Sequence, residues 1–271
     1  MGFKITLPVL LFFLLAGPAT PQIEVDPLSV TSLLVLLVSN NVPIASATAF
    51  VVEKNSKYYL VSNWHVITGR RPDSKISTDE QGRLPDQIKI LQNTKDHLGN
   101  WHWVSENLID AKTHAPRWIE HPTLKNDVDL ALLPLENTDG IQFYPLDLEL
   151  RNKSVKLSPG GEVSIVGFPF GNASYLGLPI WKAGAIASDP DINYMNSPQF
   201  LVDTTSRPGM SGSPVYARRF GSYQDEKGNL VLGTGVTDRF LGVYAGDIDS
   251  QSEVGRIWKA TALMEIYDSI K

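Results

Sequence analysis

The sequence predicts an all-β protein: two antiparallel β-barrels in series, followed by a C-terminal α-helix. Three observations carry that expectation. Apolar runs of strand length, rich in Val, Ile and Leu, recur from residue 28 onward with turn signals between them. Eighteen prolines and 21 glycines are spread along the 271 residues, as many short connections require. Only at the end does the period change: Leu263, Ile266, Tyr267 and Ile270 fall at i, i+3, i+4 and i+7, the stripe of an amphipathic helix. The composition, 42% hydrophobic and 20% charged, suits a soluble globular protein with one large or two small cores. A net charge of −5 gives no footprint for nucleic acid or an anionic membrane as partner.

The first residues are read as an address rather than as fold. Lys4 is followed by the apolar run Ile5 to Ala16 and by Gly17-Pro18-Ala19, small residues where a cleavage site is read. Residues 1–19 are therefore expected to be a signal peptide, removed on export to an extracytoplasmic compartment, periplasmic or secreted. The run is short for a membrane span, so no stable span is expected after its removal. The chain has no cysteine, which points to an exported bacterial protein stabilised by packing and excludes cysteine-ligated metal.

Ser32 to Val38 reads as a buried strand, and Asn40-Asn41 as a turn. Ala47 to Val52 and Lys57 to Ser62 read as strands joined by a Lys-Asn-Ser turn. Arg70 to Pro85 is a polar surface loop, and Gln87 to Leu91 with Trp101 to Val104 form a hairpin. Val128 to Leu133 is a further strand, and Pro145 to Pro159 connects the halves, dividing the chain into units at 25–145 and 146–271. In the second half the strands are Val163 to Val166, Pro179 to Ala187, Gln199 to Asp203, Val215 to Ala217, Leu241 to Tyr244 and Arg256 to Lys259. Arg218 to Arg239 is an excursion around Lys227-Gly228-Asn229. Trp101-His102-Trp103 is read as hairpin packing rather than a binding platform.

Within this frame one stretch carries chemistry: Gly209-Met210-Ser211-Gly212-Ser213-Pro214. A serine hydroxyl attacks a carbonyl only with a base to take its proton and donors to hold the oxyanion. Flanking glycines let the backbone turn tightly there. Of the five histidines, His65 closes an apolar strand, whereas His97, His102, His114 and His121 lie in polar surroundings. Asn126-Asp127-Val128-Asp129 offers two acids, Asp127 and Asp129, two apart and on one face if the segment is a strand. Each residue alone has a bland reading as a loop serine, a structural histidine or a turn acid. Together they stand in the order His, Asp, Ser, one of the known chain orders of the triad.

Ser62-Asn63-Trp64-His65-Val66, Asp129-Leu130-Ala131-Leu132-Leu133 and Gly209-Met210-Ser211-Gly212-Ser213-Pro214 make the chain resemble a trypsin-like, chymotrypsin-fold serine protease of the cysteine-free bacterial kind. Ala47-Thr48-Ala49-Phe50, Gly167-Phe168-Pro169 and Leu241-Gly242-Val243-Tyr244 fit the same pattern, so the resemblance runs from about Ser32 to the end. In style it is similar to glutamyl-endopeptidases and high-temperature-requirement-type proteases, without a PDZ domain after the final helix. The resemblance implies two six-stranded barrels and hydrolysis of peptide bonds in protein or peptide substrates, without metal or cofactor. It implies Ser211 as nucleophile, His65 as general base and acid, and Asp129, which directly precedes the Leu-Ala-Leu run, as its orienting acid. The oxyanion hole would be the N–H groups of Gly209 and Ser211. Met210 replaces the aspartate that pairs with a new N-terminus in digestive proteases, so that activation route is not expected. Pro208 fixes φ just before Gly209. Counting back from Ser211 places Thr205 at the base of the substrate side-chain pocket, with Tyr244, Ala245 and Gly246 as its wall and Gly255 on the far side. Asp203 would favour a basic and Arg207 an acidic substrate residue.

Overall fold

The computed structural model describes residues 24–95, 98–249 and 251–271. The expected signal peptide and His97 lie outside the described residues. The first half contains β1 (Ser32–Ser39), β2 (Val42–Lys54), β3 (Lys57–Ser62), α1 (Trp64–Thr68), β4 (Gln87–Asn93), β5 (Trp101–Asn107), β6 (Ile119–Glu120) and β7 (Ala131–Pro134). The second contains β8 (Glu162–Gly167), β9 (Ile180–Ile186), β10 (Gln199–Asp203), β11 (Pro214–Phe220), β12 (Tyr223–Gln224), β13 (Leu230–Val231), β14 (Val236–Asp247), β15 (Val254–Lys259) and α2 (Ala260–Ser269).

The turns that start the first sheet are set by residue chemistry. Asn40 and Asn41 take φ of 49° and 65°, the left-handed pair that a two-residue hairpin needs, and Asn55 and Ser56 repeat this between β2 and β3. Antiparallel pairing orders the sheet β5-β4-β1-β2-β3-β7-β6. It has seven strands where six were expected; the two-residue β6, an element with no sequence signal, ends the row. The second sheet closes fully as a six-stranded barrel, β10-β15-β14-β11-β8-β9. Its inward residues, among them Val163, Ile165, Val202, Val215 and Ile257, form a buried core of their own. The 218–239 excursion is a hairpin extension in which Phe220 still faces Val236.

A separate apolar cluster joins the sheets. Phe50, Val61, Leu130 and Leu132 from the first half meet Val166, Tyr216, Phe240 and Trp258 from the second. Helix α2 lays its predicted stripe onto this seam: Leu263 and Ile266 are fully buried and Ile270 nearly so. Its outer edge is tied back by Tyr267, whose hydroxyl donates to Glu53 O at 2.7 Å and whose carbonyl accepts from Lys54 Nζ at 2.6 Å. No helix among the described residues is long and apolar enough to cross a membrane.

Two local expectations are corrected. The strand expected over Val128 to Leu133 begins only at Ala131. Ahead of it the backbone turns instead, with Asp127 N–H donating to Leu124 O and Val128 N–H to Lys125 O. Asp127 and Asp129 are therefore not strand neighbours on one face. His65, expected at a strand end, sits in the first turn of the unpredicted five-residue α1.

Candidate active site

Helix α1 begins as soon as β3 ends. Asn63 is its N-cap residue in an extended conformation, and Gly69 closes it at φ 65° with its N–H on His65 O at 2.9 Å. Glycine is needed at 69, since a Cβ there would lie 2.3 Å from Pro85 Cδ at a φ that side chains avoid. This short turn swings His65 off the end of the sheet, leaving its side chain 21% exposed.

Asp129 takes hold of His65 twice. Its Oδ2 lies 2.7 Å from His65 Nδ1, and its Oδ1 accepts the His65 backbone N–H at 2.8 Å. Asn63 Nδ2 in turn donates to the Asp129 carbonyl at 2.9 Å. An ionised carboxylate only accepts, so the contact places a proton on Nδ1, and in the neutral imidazole the lone pair is then on Nε2. Burying an acid to 4% exposure is costly without partners; here both oxygens have one. Asp127 is exposed and its carboxylate has no hydrogen-bond partner among the described residues, so of the two acids it is Asp129 that lies against His65.

The serine sits at the end of a tight backbone turn. Met210 N–H donates to Arg207 O at 3.2 Å, and Gly209 has φ 93°. With Pro208 at the second position, Arg207 to Met210 is a turn of type II, whose third position requires glycine. Proline thus fits the turn and preorganises it. The Pro208 carbonyl accepts from Phe170 N–H at 2.6 Å. Because the peptide is trans, the Gly209 N–H points the opposite way. Among the described residues neither this N–H nor that of Ser211 donates to a protein acceptor.

The serine loop is stitched to the histidine half through Thr48 on β2, which is fully buried. Thr48 N–H donates to Ser211 O at 2.9 Å and its Oγ1 to Gly209 O at 2.8 Å, while Oγ1 accepts from Phe168 N–H at 3.0 Å. The Thr48 carbonyl accepts from Ser62 Oγ at 2.8 Å, three residues before His65. Gly212 fills the seam at φ 88°, where a Cβ would lie 1.9 Å from Thr48 O. Ser211 itself is partly exposed, and no hydrogen bond joins its Oγ to His65 among the described residues. Sequence reading gave Thr48 no role; a lone polar residue within the apolar Ala47 to Val52 strand was the available signal.

The expected pocket residues divide. Gly246 lies beside the serine, since a Cβ there would be 3.8 Å from Ser211 Oγ. Ala245 is buried, and Thr205 is partly exposed after the end of β10. Tyr244 and Gly255 face each other across the barrel wall, the ring packed directly on the glycine. Arg207 is exposed and turns its guanidinium onto Ser206 O at 2.6 Å, and Asp203 is exposed on β10. The remaining histidines stand apart. His102 and His114 are exposed, and the buried His121 places Nε2 3.0 Å from Glu265 on α2. Among the described residues no three His, Asp or Glu side chains come together as metal ligands would.

A family model described as a trypsin-like peptidase domain matches residues 47–221, more than half the chain. No curated protein sequence matches it. Among solved structures it is similar to the Rv3671c protease from M. tuberculosis in its active form, at 15% identity and TM-score 0.50, covering 89% of this chain and 81% of that one. It is also similar to the thermostable serine protease AL20 from an extremophilic microorganism, at 14% identity and TM-score 0.50, covering 90% and 99%. A serine endoprotease from Yersinia pestis aligns at 13% identity and TM-score 0.49, covering 91% and 67%. At these identities the likeness is one of fold.

Proposed function

The chain belongs to the trypsin-like peptidase domain family and is a serine-type peptidase, and from that premise we propose that it is an exported endopeptidase working through Ser211, His65 and Asp129. The observation that supports this most is the double grip of Asp129 on His65, ring and backbone at once. That grip leaves Nε2 as the free base. Nε2 takes the Ser211 proton as Oγ attacks the scissile carbonyl. The negative charge that develops on the carbonyl oxygen meets the unpaired N–H groups of Gly209 and Ser211. The tetrahedral species collapses as His65 returns the proton to the leaving amine, giving an acyl-enzyme. Water then enters, loses a proton to Nε2 and attacks the ester, and His65 returns that proton to Ser211 Oγ as the ester bond breaks and the acid leaves. Asp129 stays ionised throughout and stabilises the imidazolium.

The test is a fluorophosphonate probe and a casein digest on wild type and Ser211→Ala. Wild type should label and cleave, and the variant should lose labelling and about 10⁶ in kcat. Wild type that binds peptide but neither labels nor cleaves would make the protein a binding module instead. Export rests on the Lys4 to Ala19 pattern. The protein expressed with its own leader should be recovered outside the cytoplasm beginning at Thr20; an intact Met1 on cytoplasmic protein ends that reading.

A further inference from the structure

We propose that Tyr244 fills the pocket that would receive the residue on the acyl side of the scissile bond, and so restricts cleavage to small, uncharged side chains there. The inference rests on Ser211 being the nucleophile. Three segments border the space next to that serine: residues 205–207 after β10, the end of β14 and the start of β15. They are neighbours by pairing, since Val202 on β10 and Asp247 on β14 both face Gly255 on the strand between them.

Tyr244 is anchored to the serine loop itself. Its carbonyl accepts from Gly212 N–H at 2.9 Å and its N–H donates to Ser213 O at 2.9 Å. From there the side chain runs across to β15. A Cβ on Gly255 would lie 2.4 Å from the Tyr244 ring at Cε2 and 2.8 Å from its hydroxyl. The glycine thus leaves the volume that the phenol occupies, and the ring is only 1% exposed. The far end is pinned: the hydroxyl lies 3.2 Å from Asp247 Oδ1 and within reach of the Ser206 side chain. Burial holds the phenol well above its ordinary pKa, so it stays neutral. A large substrate side chain would have to displace a ring that is packed on backbone at one edge and hydrogen-bonded at its tip.

Charge bears on the same space. The Asp247 carboxylate accepts from the tyrosine hydroxyl and the Arg207 guanidinium donates to Ser206 O, so a charged substrate side chain would have to share or replace those contacts. With the ring in that place, only a small residue such as Gly, Ala or Ser would fit beside Gly246.

The experiment is a peptide library varied at the acyl-side position, scored by kcat/KM. Wild type should prefer Ala or Ser over Phe, Leu, Lys and Glu by tenfold or more. Best cleavage after an aromatic, basic or acidic residue overturns the proposal. Tyr244→Val should raise the Phe-to-Ala ratio by roughly 10- to 200-fold, and Tyr244→Phe should leave it near the wild-type value. An unchanged ratio in a Tyr244→Val protein that still labels with fluorophosphonate also overturns it. If Tyr244→Val does not fold, wild-type inactivation by chloromethyl ketones ending in Ala or in Phe decides, the Ala compound being expected to act at least tenfold faster. Wild type that does not label at all refutes the nucleophile assignment, a result distinct from any of these.

Discussion

The two halves of the candidate site hold their chemistry by different means. On the first sheet His65 is fixed by a side chain, with the Asp129 carboxylate grasping ring and backbone together. On the second barrel Ser211 is placed by a proline-glycine turn whose backbone carbonyls are held by Phe170 N–H and by the N–H and hydroxyl of Thr48. A base must change protonation state while keeping its orientation, which a carboxylate accomplishes electrostatically. An oxyanion hole needs N–H groups aimed at a point, and only backbone conformation aims them. Substitutions should therefore act differently on the two sides.

Short of removing Ser211 itself, the largest effect is expected from Asp129→Asn. The amide keeps the shape and can still accept one N–H, but it no longer enforces the Nδ1–H tautomer. A fall of about 10⁴ in kcat with little change in Tm is the expected outcome; a comparable loss of Tm would mean that Asp129 is mainly a folding residue. Next is Gly209→Ala, in which the Cβ would meet Phe168 O at 2.3 Å at a φ of 93°. The turn should rearrange and one oxyanion donor be lost, costing about 10²–10³ in kcat. Unaltered turnover would separate the Gly209 N–H from catalysis. Smallest is Thr48→Val, which keeps the shape but leaves the Phe168 N–H and the Gly209 carbonyl without their partner. Urea unfolding should show a loss of about 1–3 kcal/mol. Because Thr48 bridges the halves, a milder fall in turnover should accompany it; stability lost at unchanged turnover would break the link between them.

What could be read from the sequence follows the same division. The strands were legible because apolar runs and Asn, Gly and Pro punctuation are local signals, and β10 matches the expected Gln199 to Asp203. The three reactive residue types were legible in their order. The placement of Asp129 off the strand was not, because the turns of residues 121–130 compete with an apolar pattern that extends over Val128 and Leu130. Helix α1 was missed because five residues are too few for a period to register. The anchoring by Thr48 joins residues 161 and more apart in the chain, and no local pattern encodes it. Tyr244 was expected at the pocket wall, and a wall and a plug differ only by which way a ring turns.

Helix α2 also sets a schedule. It buries Leu263 and Ile266 against both sheets at once, on the apolar seam to which β2 and β11 both contribute side chains. In synthesis it follows every residue of the site. Until it emerges, His65 and Ser211 sit on two surfaces whose shared apolar seam is unfinished, so a growing chain should have no assembled nucleophile to turn on its neighbours. A chain stopped before Ala260 should therefore fail to label with fluorophosphonate and recover labelling when a peptide of residues 260–271 is added. Full labelling of the truncated chain would show that the site assembles without its last helix.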